Sequence, residues 1–117
     1  MAKRIEAHLI AVDQGEEVMF SDFEDDGEMW SGQGTRERRK SIRFSEPFAD
    51  PPSVHCGLSM WDMDHGHNLR ADLVTEDVTC EGFTVLFRTW DDSRIARVRV
   101  AWMAIGSALA DDQWQLY

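Results

Sequence analysis

The stretch FTVLFRTWDDSRIARVRVAWMAI, residues 83–105, decides the fold, because apolar and polar side chains alternate on both sides of a turn-like centre. Successive side chains of a β-strand point to opposite faces, so each half of the stretch predicts a strand with one buried face. Asp91, Asp92 and Ser93, between the two halves, are typical turn residues. We therefore predict a β-hairpin over residues 83–105.

Parity assigns the side chains of this hairpin to two faces. The predicted inward residues are Phe83, Val85 and Phe87 in the first strand and Val98, Val100 and Trp102 in the second. The predicted outward residues are Leu86, Arg88 and Trp90 in the first strand and Arg97 and Arg99 in the second. Trp90 is therefore a large ring that is expected to face outward at a strand end, directly before two carboxylates.

The position of Trp90 has two interpretations. An outward ring at a strand end is often the rim of a core or a contact between subunits. Alternatively, a flat apolar ring can stack on the C–H face of a sugar while neighbouring polar groups orient the hydroxyls. In that second interpretation Asp91 accepts hydrogen bonds from the hydroxyls, and Arg70 donates to a ring or hydroxyl oxygen.

Weaker alternation elsewhere predicts the remaining strands. These are a leading strand or hairpin over residues 3–20 with a turn at Gln14 and Gly15, and strands over 42–48, 53–64 and 69–76. Their predicted inward residues are Ile42, Phe44 and Phe48, then Val54, Cys56, Leu58 and Met60, then Leu69, Ala71 and Leu73. Residues 21–41, first acidic and then basic, are expected to form a long loop that carries function or an interface.

About six short strands, with no window of helical periodicity, predict an all-β fold, namely a six-stranded antiparallel β-sandwich. A chain of 117 residues is expected to form a single domain. We divide it into an N-terminal strand and acidic loop (1–34), a central part (35–106) and a C-terminal tail (107–117).

The charge balance disfavours some partners. Lys and Arg number 12 against 22 Asp and Glu, and the formal net charge is −10. Such a chain repels nucleic-acid phosphates and anionic lipid heads, so we expect neither nucleic acid nor membrane as a partner. The start, MAKRIEAHLIAVD, lacks the features of a signal peptide. We therefore expect synthesis in the cytoplasm, with release through lysis or a dedicated secretion route.

The segment DMDHGH, residues 62–67, contains candidate metal ligands in Asp62 and Asp64. The favoured interpretation is a polar turn between two strands. A Ca²⁺ site built from these two carboxylates and backbone carbonyls is the alternative, and no other cofactor is expected. The two cysteines, Cys56 and Cys80, are expected to be free thiols.

The run TRERRK, residues 35–40, is a basic island that follows the acidic run FEDDGE, residues 23–28. The favoured interpretation is salt bridging between the two runs, within or between subunits. A site for an acidic glycan or phosphate is the alternative. Catalysis is not predicted, because the sequence has no nucleophile elbow, no phosphate loop after a strand and no HExxH motif.

A set of short motifs, in one order from Thr35 to Trp102 and slightly beyond, resembles a known family. The motifs are IRFSEPF (42–48), PPSV (51–54), LSMWD (58–62), NLR (68–70), GF (82–83), TWDDSRI (89–95) and VAWMAIG (100–106). They resemble the H-type lectin domain of snail agglutinins and of the C-terminal domain of slime-mould discoidins. The resemblance implies a six-stranded sandwich that assembles as a trimer, or as a hexamer of paired trimers, with glycan sites between neighbouring subunits.

The same resemblance implies roles for particular residues. Arg70 and Trp90 match the family's sugar-contacting arginine and ring. Asp91 stands where the snail lectin has a histidine. The loop that a neighbouring subunit contributes matches Gly32 and Gln33, with Gln33 in place of an aspartate. The family's usual ligands are galactose and N-acetylgalactosamine, and these two exchanges of side chain imply an altered preference. The snail lectin's disulfides have no matching cysteines here.

The function expected from the residues and the resemblance together is a carbohydrate-binding lectin for cell-surface or capsular glycans. The alternative is a structural or adhesion module of a phage-like or secreted assembly, in which sugar binding is altered or lost. The residues at 33 and 91 favour that alternative.

Overall fold

A computed structural model describes residues 1–109, which form six strands and one short helix. In chain order these are β1 (Ile10–Ser21), α1 (Glu28–Ser31), β2 (Arg36–Arg43), β3 (Ser53–Met63), β4 (Asp72–Glu76), β5 (Gly82–Thr89) and β6 (Ile95–Ser107). All strand pairs are antiparallel, as predicted for an all-β chain. Among residues 1–109, no helix combines the length and apolar character that crossing a membrane requires.

The strands form two three-stranded sheets, with orders β1-β6-β3 and β2-β5-β4. The predicted hairpin over residues 83–105 is therefore wrong, because β5 and β6 lie in different sheets. Each of the two is the central strand of its sheet and takes its backbone hydrogen bonds from two other strands. The turn between them crosses from one sheet to the other, so their apolar faces meet across the core. Alternation of side chains alone does not distinguish these two arrangements.

The predicted turn at Gln14 and Gly15 is also wrong, because β1 continues through both residues. Gly15 pairs with Trp102 of β6. A Cβ placed on Gly15 would lie 3.0 Å from the Trp102 indole, so the glycine makes room for the ring and does not bend the chain. The predicted loop over 21–41 is correct only in its first part, since β2 already begins at Arg36.

Aromatic rings from both sheets fill the space between them. The predicted inward residues of β5 and β6 are all buried, and so are Ile42, Phe44 and Phe48. The ring centres of Phe83 and Trp102 are 5.4 Å apart across the two sheets, and those of Phe20 and Phe87 are 5.5 Å apart. Such contacts hold the two sheets face to face.

Four of the predicted burial assignments differ from the structure. Leu69 and Ala71 are exposed, because β4 begins only at Asp72, and alternation carries no information ahead of a strand. Leu86 was predicted outward but is buried outside the main core. Met60 follows a bulge in the β3–β6 pairing and does not join the core, unlike Val54, Cys56 and Leu58.

The outer faces of the two sheets differ in character. On the outer face of the β1-β6-β3 sheet, two ion pairs, Arg97–Asp62 at 3.0 Å and Arg99–Glu16 at 3.2 Å, accompany five exposed large apolar side chains: Ile10, Val12, Val18, Met103 and Ile105. On the β2-β5-β4 sheet the outer face carries ion pairs, among them Arg88–Asp72 at 2.6 Å and Arg39–Glu76 at 2.8 Å. We call the first surface the apolar face.

The predicted C-terminal tail, residues 107–117, begins within the fold. Ser107 is the last residue of β6, and Ala108 forms a bridge with Phe48. The rest of that prediction, residues 110–117, lies outside the described residues.

Candidate functional site

The turn between β5 and β6 presents Trp90 and Asp91 at one end of the sandwich. Trp90 directly follows β5 and keeps 37% of its surface exposed, in agreement with its predicted outward parity. Asp91 has a φ of 65°, in the left-handed region that aspartate tolerates better than most side chains. The left-handed residue lets the chain turn immediately after the ring.

Two hydroxyl groups hold the segment that carries Arg70 against this turn. The Thr89 hydroxyl donates to the carbonyl oxygen of Arg70 at 2.6 Å. The Ser93 hydroxyl donates to the carbonyl oxygen of Asn68 at 2.5 Å and accepts from the Arg70 N–H at 3.0 Å. Both side chains are completely buried, so water does not compete for these bonds. They bring the Arg70 guanidinium to 3.5 Å from the Asp91 carboxylate.

Asn68 joins the two consecutive carboxylates of the turn. Its side-chain amide donates to Asp92 at 2.8 Å and to Asp91 at 3.3 Å, and its backbone N–H donates to Asp92 at 3.2 Å. The hydrogen bond from the Asn68 side chain is the main reason that the pKa of Asp92 lies below its ordinary value. Both carboxylates are thus held in place as hydrogen-bond acceptors, and the Asp91 side chain remains exposed to solvent.

The loop that contains Gly32 and Gln33 lies beside Asp91 in the same chain. The Gly34 N–H donates to the carbonyl oxygen of Asp91 at 2.9 Å. Gly32 closes α1 with a hydrogen bond to the Glu28 carbonyl, and a Cβ there would lie 2.6 Å from that oxygen. Gln33, between the two glycines, is exposed. One copy of the chain therefore already brings the 32–34 loop to the Trp90 turn.

Arg36 fixes this loop from beneath. Its guanidinium is buried and donates to four backbone carbonyls, which belong to Glu28, Met29, Gly34 and Asp91. Burial lowers the pKa of Arg36 from its ordinary value. Arg36 belongs to the basic island, for which salt bridges are predicted. Its partners are instead backbone carbonyl groups, which no local sequence pattern indicates.

The site therefore combines three kinds of contact for a polyhydroxylated ligand. Trp90 offers a flat apolar ring, Arg70 offers donors and Asp91 offers acceptors. Arg70 lies 3.5 Å from Asp91, and Asp91 directly follows Trp90 in the chain. Sequence reasoning missed the residues that position them, Thr89, Ser93 and Arg36, because their partners are distant in the chain.

The candidate metal ligands have other partners. Asp62 pairs with Arg97 at 3.0 Å. Asp64 accepts from the Gly66 N–H at 2.9 Å, which is the main cause of its lowered pKa, and lies 3.2 Å from His67. Asp62 and Met63 thus still belong to β3, and the predicted polar turn comprises residues 64–67. Within residues 1–109, no group of three or more potential ligands that could hold a metal ion is present.

The basic island matches its favoured interpretation only in part, whereas the cysteines match theirs. Arg38 lies 3.8 Å from Glu28 of the acidic run, but its shorter ion pair is with Asp22 at 2.9 Å, and Arg39 and Lys40 pair with glutamates outside that run. Cys56 and Cys80 are both free. Burial raises the pKa of Cys56 to about 11.

Comparison with known proteins concerns the family and the fold of the chain. The model of the H-type lectin domain matches residues 39–105. A protein of Fuscovulum blasticum named "ATP synthase subunits region ORF 7" is 51% identical over 107 residues, which cover 92% of this chain and 93% of that protein. Two structures of discoidin II from Dictyostelium discoideum superpose with TM-scores of 0.73 and 0.72 at 22% identity.

The likeness to discoidin II concerns the fold. It covers 86% and 85% of this chain, which spans only 38% and 37% of the discoidin II chains. The family match covers more than half of the 117 residues and includes β3, β4, β5 and most of β6. The chain belongs to the H-type lectin domain family.

Proposed function

We propose that the protein is a carbohydrate-binding lectin whose sugar site is formed by Trp90, Arg70 and Asp91. The observation that supports this proposal is that the buried Thr89 and Ser93 hydroxyls hold the segment of the exposed Arg70 against the turn that carries the exposed Trp90. A ring that stacks on C–H groups, beside fixed donors and acceptors, is the chemistry of sugar recognition. Binding without turnover is the activity that these groups support.

A shallow site of this kind binds one sugar weakly, with a dissociation constant of about 1 mM. Several linked sites on one assembly raise the effective concentration and hence the avidity for a repetitive glycan. The apolar face supports such an assembly, since several exposed large apolar side chains on one sheet face are typical of protein interfaces. We therefore propose that copies associate through this face, as a trimer or a hexamer.

Gly57 at the centre of β3 supports the same proposal. It is flanked by Ala101 of β6. A Cβ on Gly57 would meet no atom within 4 Å in the described part of the chain. Glycine inside a strand, where the chain itself leaves open space, is typical of sites that another backbone approaches closely.

A glycan array tests the sugar site. The wild-type assembly is expected to bind a subset of galactose- or N-acetylgalactosamine-bearing or capsular glycans. Trp90→Ala and Arg70→Ala are expected to lose that binding, while Trp90→Phe retains part of it because a ring remains. Arg43→Ala, which removes an exposed arginine of β2 away from the site, is the matched control. Equal binding by Trp90→Ala and wild type would reject the proposal.

Mixed assemblies test whether Gln33 acts on its own or a neighbouring copy. Trp90→Ala chains and Gln33→Ala chains are refolded together. If Gln33 completes a neighbour's site, some mixed sites contain both intact groups, and binding returns. If Gln33 serves the turn of its own chain, each site lacks one group and binding stays low.

The second candidate function is a structural or adhesion module. The observation that favours it is the ion pair of Arg70 with Asp91, which occupies the guanidinium that a sugar would use. An array with no ligand, together with a stable oligomer in solution, would select this function.

A further inference from the structure

A cavity of about 500 Å³ lies at the same end of the sandwich as the Trp90 turn but has different walls. The walls come from the ends of β1 and β3, from the start of β6, and from α1 with the loop before it. Arg70, Trp90 and Asp91 are not among the residues that line it. The cavity is therefore a separate place at which a ligand could be held.

Two aromatic rings form the apolar wall of this cavity. The Phe23 and Trp30 ring centres are 4.9 Å apart in an edge-to-face arrangement. The guanidinium of Arg94 covers Trp30 at 4.3 Å from the ring centre, and its Nε donates to the Trp30 carbonyl at 3.1 Å. Trp30 is thus fixed in place, while Phe23 keeps 56% of its surface exposed. A large aromatic ring that is exposed to solvent beside a cavity offers an apolar surface that a ligand can contact.

Polar groups stand around the ring. Asp62 forms an ion pair with Arg97 at 3.0 Å. The pair places the carboxylate acceptors of Asp62 beside the guanidinium donors of Arg97. Glu24 also lines the cavity and forms no ion pair among residues 1–109. Asp64 also lines the cavity and accepts a hydrogen bond from the Gly66 N–H. The rim thus offers hydroxyl groups both donors and acceptors.

The charges decide which class of ligand fits. A cationic ligand would meet Arg97 in the wall and Arg94 behind Trp30, whose ring face is already taken by that guanidinium. An anionic ligand would meet the carboxylates of Glu24, Asp62 and Asp64. A neutral ligand with one apolar face and several hydroxyls avoids both conflicts.

We propose that this cavity is a second carbohydrate site, which takes a neutral hexopyranose unit with its C–H face on Phe23 and its hydroxyls on Glu24 and Asp62. That the ligand is a sugar rests on the proposed function of the protein as a lectin. This cavity adds a site that is separate from Trp90, so that one chain contacts two sugar units.

Saturation-transfer NMR with free galactose, N-acetylgalactosamine, glucose and mannose tests this second site. Trp90→Ala is expected to retain transfer to at least one of these sugars, and Phe23→Ala in the same background is expected to remove it. Phe23→Tyr keeps the ring and is expected to keep the signal. In an otherwise wild-type chain, Phe23→Ala is expected to weaken binding of an array-selected oligosaccharide by about five- to ten-fold, the size of one aromatic contact. Val74→Ala, an exposed apolar change elsewhere, serves as the control.

The outcomes separate the two proposals. If Trp90→Ala abolishes transfer to every sugar and Phe23→Ala changes nothing, the second site is rejected and the proposed function stands. If Trp90→Ala retains binding that Phe23→Ala does not affect, the second site is likewise rejected. If the wild-type chain binds no sugar on the array or by NMR, both proposals are rejected. Because Phe23 is exposed, its variants are expected to unfold at the wild-type temperature.

Discussion

Ser93 accepts a hydrogen bond from the backbone N–H of Arg70 at 3.0 Å, although the two residues are 23 positions apart in the chain. The same hydroxyl donates to the Asn68 carbonyl, and the Ser93 side chain is completely buried. Together with Thr89, Ser93 therefore holds the segment that carries Arg70, the arginine of the proposed sugar site. Through this contact, the stability of the turn and the geometry of the site are coupled.

Ser93→Ala is expected to weaken both folding and binding. The change removes both hydrogen bonds of the buried Ser93 hydroxyl, at a cost of about 1–3 kcal/mol in the free energy of unfolding. Denaturant unfolding measures the stability, and the glycan array measures the binding. Ser53→Ala, an exposed serine at the start of β3, is the matched control. If Ser93→Ala unfolds at the wild-type midpoint, the hydroxyl does not hold the segment.

Arg36→Lys is expected to release the 32–34 loop. An ammonium group keeps the charge but cannot reach four carbonyls as the planar guanidinium does. We expect a loss of about 2–3 kcal/mol in unfolding free energy. Hydrogen exchange at the Gly34 amide, which donates to Asp91, is expected to become faster. Arg43→Lys is the control, since Arg43 is exposed. Unchanged protection of the Gly34 amide would contradict this role.

The contrast between Trp90 and Arg36 explains how far the sequence predicts the site. Trp90 could be assigned to an outward position, because alternation is a local property that the strand imposes directly. The position of Arg36 depends on carbonyls of α1 and of the β5–β6 turn, which meet only in the folded chain. Local patterns carry no signal for such contacts.

The same distinction holds for the fold. The inward residues of β5 and β6 could be predicted, yet their pairing as a hairpin was wrong. Burial depends on the residue itself, whereas pairing depends on which other strands compete for the backbone hydrogen bonds. β1 and β3 pair with β6, and β2 and β4 pair with β5. The motifs that resemble the H-type lectin domain predict the family, but they do not show which strands pair with β5 and β6.

Gly15→Ala is expected to destabilise the fold through contact with Trp102. The added methyl group would lie 3.0 Å from the indole, and forcing extra volume into a packed site costs about 1–3 kcal/mol. A double-mutant cycle with Trp102→Phe checks the cause, because the smaller ring leaves room for the methyl. The indole N–H has no partner within residues 1–109, so the ring exchange loses no hydrogen bond there. Additive effects of the two changes would contradict the steric explanation.

Cys56 is expected to resist alkylation at pH 8. Burial raises its pKa to about 11, so the thiol stays protonated at that pH, and the thiolate is the reactive form. The reactivity is expected to rise as the pH approaches the raised pKa, provided that the fold persists. Iodoacetamide labelling of native Cys80→Ser, followed by mass spectrometry, isolates Cys56. Unfolding in guanidinium is expected to make the same thiol react at pH 8. Rapid labelling of the native chain at pH 8 would contradict the raised pKa.

The apolar face gives the last prediction, which concerns assembly. Val12 and Val74 are exposed valines on edge strands of opposite sheets, at 58% and 43% exposure. Val12 lies on the apolar face, where a glutamate would place a charge in the proposed interface between copies. Val74 lies on the outer face of the other sheet, beside ion pairs, where a glutamate would stay in water. The same substitution at the two positions therefore separates an effect on the interface from an effect on the strand.

Val12→Glu is expected to lower the mass of the assembly in solution towards that of one chain, while Val74→Glu leaves it unchanged. Burying an unpaired carboxylate costs several kcal/mol, more than a weak interface can tolerate. Light scattering coupled to gel filtration measures the mass, and circular dichroism checks that both variants remain folded. Because avidity depends on linked sites, Val12→Glu is also expected to bind a dense glycan surface more weakly, with little change in its affinity for a free sugar. A wild-type protein that is already a single chain in solution, or an oligomer that Val12→Glu leaves intact, would show that this face is not where copies meet.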